Sequence, residues 1–190
     1  MKYSNQDINN YYRNRMVELS KKYPDEFLEE FPDGYINEIL EVIQFNDNEM
    51  EIINFLFENI YYGGYKTGKQ KTALVQLCLN CIDNAEKTIN FIKGEYEEID
   101  KGLLENFVDI NLKRKLININ TQINFKYIWY EIYNIENALD NDIYNREKLF
   151  DNYFIVSLSR VSFNKDKTKA MAEWGRTFGP LSGSGEYLII

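Results

Sequence analysis

Along the first half of the chain, apolar residues recur at the spacing of helix faces. In "INNYYRNRMVELSKKY", Ile8, Tyr12, Met16 and Leu19 fall three or four positions apart and predict an amphipathic helix. The following "YPDEFLEEFPDGY" carries Pro24, Pro32 and Gly34, which break that helix and leave at most a short turn. Ile36, Ile39, Leu40 and Ile43 predict a second helix. A third starts at Asp47, a candidate N-cap, and runs through Ile52, Ile53, Leu56, Phe57 and Ile60 until Gly63 and Gly64 stop it. The fourth is the longest: Leu74, Leu77, Cys78, Cys81, Ile82, Ala85, Ile89 and Ile92 hold one face until Gly94. With short links and no fixed-length repeat, residues 1–94 read as an irregular helical bundle.

From Glu95 the period changes. Leu103, Leu104, Phe107 and Val108 give one more short helix, and "INFKYIWYEIYNI" then alternates as a strand, with Phe125, Tyr127 and Trp129 on one side. "ENALDNDIYNREKLFDN" is polar and rich in Asn and Asp, as a loop or frayed helix would be. In the tail, Phe154, Val156 and Leu158 alternate, Asn164 to Lys167 supply a turn, and Thr168 to Thr177 form a partner strand. "GPLSGSG" is a Gly-rich connection and "EYLII" a last strand. The fold class expected is α+β: a helical region at 1–94, then an α+β region at 95–190. That second region closes with an antiparallel meander joined by the strand around Tyr127.

Composition narrows the function. A net charge of -8 and a pI near 4.8 disfavour a nucleic-acid surface and an anionic membrane, because both need clustered Lys and Arg. The same charge steers a basic partner toward the chain. With no histidine, the usual general base and the commonest metal ligand are missing. "MKYSNQDINNYYRNRM" has no apolar core of signal-peptide length, and no window approaches a membrane span; a cytoplasmic protein is expected.

Candidate chemistry is sparse. Gly63, Gly68 and Lys69 in "YYGGYKTGKQKT" match G-x-x-x-x-G-K, but Gln70 stands where a hydroxyl should hold magnesium, and the preceding segment has helical period rather than strand period. A helix is expected to follow, the one feature in favour; the match reads as a surface turn. Cys78 and Cys81 have C-x-x-C spacing but fall on the apolar stripe of the fourth helix, where thiols pack as small hydrophobes. The acids of "DEFLEE", "EYEEID" and "DNDIYNRE" read as solvated faces and helix first turns. No cofactor and no metal is expected. Tyr61, Tyr62, Tyr65 and Trp174 are candidate interface residues, since aromatics with a polar tip favour protein interfaces.

"SLSRVSFNKDKTKAMAEWGRTFGPLSGSGEYLII" resembles the C-terminal part of a group of uncharacterised bacterial proteins. Ser159, Arg160, Val161, Phe163 and Asn164 match that group's S-R-V-G-F-N element, Ala170 the start of its next strand, and Gly179, Pro180, Leu181, Gly183 and Gly185 its bend. Ser162 replaces the usual Gly, "AMAEW" a more apolar strand, and the chain stops at Ile190 where those proteins add a turn and a Gly-Lys-Trp strand. The resemblance implies no activity.

Read physically, the motif is mostly structural: Asn164 suits a turn, and Gly183 and Gly185 allow positive φ in the bend. Arg160 differs, because a charge in an apolar strand must face solvent or find a carboxylate. An acid of the 140–151 loop is the partner expected for it, or else an anionic ligand. The reading that follows is an acidic, non-enzymatic module that binds a basic protein, in the manner of an immunity or antitoxin-type inhibitor, with Arg160 and Asn164 beside the aromatics as functional candidates. The alternative is a small-ligand binder or a histidine-free enzyme that uses carboxylates and Arg160.

Overall fold

The computed structural model describes residues 3–22, 39–59, 61–62, 65–66, 71–129, 150, 153–179 and 182–190. Helix α1 (Asn5–Lys22) buries Ile8, Tyr12 and Met16, three of the four expected positions. The side chain of Leu19 and the Pro24–Gly34 breaker lie outside the described residues.

The second expected helix is corrected to a strand, β1 (Glu41–Ile43), and Ile39, assigned to its apolar face, is 83% exposed. Two things divert this segment. The side chain of Asn9 clamps Leu40, donating to its carbonyl and accepting its N–H at 3.0 Å each. The β-branched Val42 and Ile43 then pair in parallel with β5 (Lys115–Ile117).

Helix α2 (Asp47–Glu58) matches the third expected helix, except that its N-cap is Asn46 rather than Asp47 and that it ends at Glu58, ahead of the expected Gly63–Gly64 stop. Asn46 and Glu49 form a reciprocal capping box, and Ile53, Leu56 and Phe57 are buried. Beyond it, β2 (Tyr61–Tyr62) and β3 (Tyr65–Lys66) pair antiparallel.

The largest correction falls on the fourth expected helix. Residues Thr72–Val75 are strand β4, buried at every position, and Leu77 and Leu79 continue the alternation against Gln76, Cys78 and Asn80. A run as apolar as "TALVQLCL" satisfies both periods, and neighbours on both edges decide it. Helix α3 (Ala85–Glu95) starts only after Asn84, whose side chain accepts the N–H of Lys87. Helix α4 (Lys101–Asn111), capped by Asp100, buries Leu103, Leu104, Phe107 and Val108 as expected.

The main sheet has the order β10-β9-β7-β4-β6, where β6 is Tyr127–Trp129, β7 Tyr153–Leu158, β9 Ala170–Gly179 and β10 Ser182–Ile189; β8 (Ser162–Phe163) pairs with the start of β9. The strands β7, β9 and β10 form the expected antiparallel meander. The sheet as a whole is mixed, however, because β4 lies between β6 and β7 and runs parallel to both. Among the described residues the Tyr127 strand therefore joins the meander through β4, and the N-terminal region is not a helical bundle. The protein is α+β, and no helix among the described residues is long and apolar enough to cross a membrane.

One sheet face packs Ala73, Val75, Phe154, Val156, Leu158 and Trp174 against α1 and α2, in a core drawing on residues from Ile8 to Trp174. On the other face, α3 and α4 cover Met171, Tyr187 and Ile189 through Ile92, Leu103 and Phe107. They leave the part around Ser157 and Gly175 open.

Candidate functional site

Arg160 follows β7 and is tied down from four sides. Its N–H donates to Asn111 Oδ1 at 2.8 Å, its carbonyl accepts from Asn111 Nδ2 and Ser159 Oγ, and its Nε donates to Glu49 Oε1 at 2.6 Å. Glu49 is 1% exposed, and its other oxygen accepts both the N–H and the Nδ2 of Asn46. The internal ion pair expected for Arg160 is present, and its partner is the capping-box acid of α2; the acids of the 140–151 loop lie outside the described residues. With its side chain 21% exposed, Arg160 does not stand in an open cleft.

Asn164 builds the expected turn. Its Oδ1 accepts the N–H of Lys169 and its Nδ2 donates to Thr168, across a corner in which Lys167 has φ 59°. Trp174 is 2% exposed and meets Phe57 edge-on at 5.3 Å, so it is a core residue and not an interface one. The backbones of Tyr61, Tyr62 and Tyr65 sit in the β2–β3 pair; their side chains lie outside the described residues, as do Gly63, Gly64, Gly68 and Lys69. The segment Thr72–Val75 that follows them in sequence is strand β4 and not a helix, which removes the one feature that favoured phosphate binding. Cys78 and Cys81 occupy the extended chain after β4, half-buried and not disulfide-bonded, rather than a helical stripe.

The site that stands out is one that periodicity does not mark. On the open sheet face is a cleft of about 310 Å³, lined among others by Gln76, Asn80, Ser157, Glu173, Gly175 and Gly185. Register builds it: Gly175 pairs with both Ser157 on β7 and Gly185 on β10, and Gly183 lies opposite Thr177. Three glycines on one face leave a shelf without side chains. A Cβ on Gly175 would run into Ser157 Oγ, whereas one on Gly185 would meet nothing within 4 Å. Gly183 and Gly185 thus lie inside β10 and without positive φ, where a bend was expected. The visible signals were the two-residue glycine spacing in "SGSG" and the lone glycine in "EWGRT".

The chemistry of the cleft is polar. Asn80 Nδ2 donates to Ser157 Oγ at 3.3 Å. Glu173 stands beside them, and burial pushes its carboxyl above the usual range while a hydrogen bond from Asn80 pulls the other way. Burial also raises the Tyr187 phenol, and the Glu173 charge adds to the shift. Arg176 points to the opposite face, where its guanidinium pairs with Glu186 and lies over Trp174.

Because folding raises the Glu173 pKa, the folded state holds its proton more tightly than the unfolded one. Stability from this group is full below about 4.5 and is lost as pH rises through the folded value. Glu173→Gln is therefore expected to raise Tm at pH 7 by on the order of 2 °C and to give no gain below pH 4, as read by circular-dichroism melts. Compared with protein-family models, with curated proteins and with solved structures, the chain matches none of them.

Proposed function

We propose that this chain is a non-enzymatic acidic module that binds a basic protein partner, in the manner of an immunity or antitoxin-type inhibitor. The observation that supports this reading is the open cleft, which offers a half-buried carboxylate, amides and a hydroxyl above a glycine shelf. Such a surface suits a cationic side chain and a stretch of polypeptide better than an apolar ligand, which needs hydrophobic walls. A chain of net charge -8 steers a basic partner to it. The burial of Arg160 against Glu49 weighs against a histidine-free enzyme built on that arginine.

The test is affinity capture with the tagged protein from the lysate of its source cells, at about 50 mM and about 500 mM salt. A stoichiometric basic protein retained at low salt and lost at high salt is the expected result. Retention that ignores salt, or capture of acidic proteins only, overturns the proposal. The cleft volume also falls within the range of small-ligand pockets, which supports the alternative of a small-ligand binder. A small cation that raises Tm in the absence of any captured protein would move the reading there.

A further inference from the structure

The main-chain groups of β10 identify how a basic polypeptide would dock. Ala170 and Ile190 exchange both of their N–H···O bonds, at 2.7 and 2.9 Å, and so form a hydrogen-bonded pair. Antiparallel pairing alternates, so Leu188, Glu186 and Ser184 point their N–H and C=O toward β9, whereas Ile189, Tyr187, Gly185 and Gly183 point theirs outward. The Tyr187 carbonyl is already taken, since it accepts a hydrogen bond from Tyr96 Oη just beyond α3. Among the described residues no strand pairs with the outer side of β10, and Gly183 to Glu186 are exposed.

This edge lacks the usual protections. "SGSG" carries no Pro or Lys, and the pairing irregularity next to Gly183 faces β9. Its outward residues are also the shelf residues, because Gly183 and Gly185 direct their absent side chains over the cleft. A strand laid beside β10 would lie two strand spacings from β9, about 9.6 Å. Glu173 lies opposite Tyr187, two residues along β9 from Gly175, so a side chain crossing at Gly185 reaches it on the diagonal, roughly 12 Å from the added strand. Across bare glycine, a long cationic side chain and the side chain of Glu173 span that distance together.

We infer that an extended segment of the basic partner adds to the sheet along Gly183–Gly185 and lays a lysine or arginine across the glycine shelf to the Glu173 carboxylate. Main-chain bonds supply affinity and the cleft supplies selectivity, as in other strand additions. The inference rests on the protein-binding reading and narrows it to one edge and one charge.

The test pans a displayed library of random dodecapeptides on the full protein at low salt, with Gly185→Val as counter-screen. Valine fills the shelf, meets no atom within 4 Å at its Cβ and suits a strand, so this variant is expected to keep its Tm. Enriched peptides should carry a Lys or Arg. By fluorescence anisotropy they should lose at least about tenfold in affinity with Gly185→Val, with Glu173→Gln, and when alternate peptide amides are N-methylated. No enrichment, enrichment of peptides without a basic residue, or equal binding to Gly185→Val overturns the inference. If a salt-labile basic partner is captured from lysate but binds Gly185→Val equally, docking lies elsewhere and the protein-binding reading stands. If capture and enrichment both fail, both fall.

Discussion

Arg160→Met is expected to destabilise the protein by about 3 kcal/mol, lowering Tm by on the order of 10 °C. The cost comes from what remains: Glu49, 1% exposed, keeps its two bonds from Asn46 and loses the guanidinium of Arg160. The partial exposure of the Arg160 side chain, 21%, sets the expectation at the low end for a broken buried pair. Glu49→Gln in the same chain should recover at least half of the loss, because an amide leaves no buried charge. Chemical denaturation of the wild type, the two single variants and the double variant gives the coupling directly. Additive losses would mean that the pair contributes nothing as a pair.

Trp174→Ala is expected to cost about 3–5 kcal/mol, the range for deleting a large aromatic from a closed core. The indole is edge-on to Phe57, which in turn meets Phe125 at 5.4 Å, so the cavity opens in the middle of an aromatic group that joins α2 to the sheet. A urea titration should show the loss as a lower midpoint with an unchanged slope. A variant that kept its midpoint but lost a partner would return Trp174 to the interface role that its residue type suggested.

Where an element is decided locally, the sequence shows it. Leu103, Leu104, Phe107 and Val108 mark one helix face and are buried together, and Phe154, Val156 and Leu158 alternate as the strand does. Thr72–Val75 is different. Both faces of β4 are covered, with Ala73 and Val75 in one apolar cluster and Leu74 in another, so neither face needs polar residues and the period-two signal disappears. Arg160 shows a similar limit. Its need for a carboxylate is readable, but Glu49 is 111 positions away and nothing near Arg160 points to it. The cleft was hidden for the same reason: Gly175 and Gly185 become neighbours only through strand register, so a glycine shelf reads in sequence as a flexible bend.

The position of β4 also bears on how the chain is made. Synthesis delivers this fully buried strand early, while β6 and β7 come much later; Lys71 and Phe150, hydrogen-bonded beside the β4–β7 pair, are 79 positions apart. Until β7 emerges from the ribosome, Thr72–Val75 has no parallel neighbour on that side, and its bare edge invites other chains. The nascent protein therefore passes through an interval in which β4 is sticky, and pairing with β7 ends it. Premature termination anywhere before Tyr153 should yield a fragment that aggregates or is held by chaperones, not a smaller folded module.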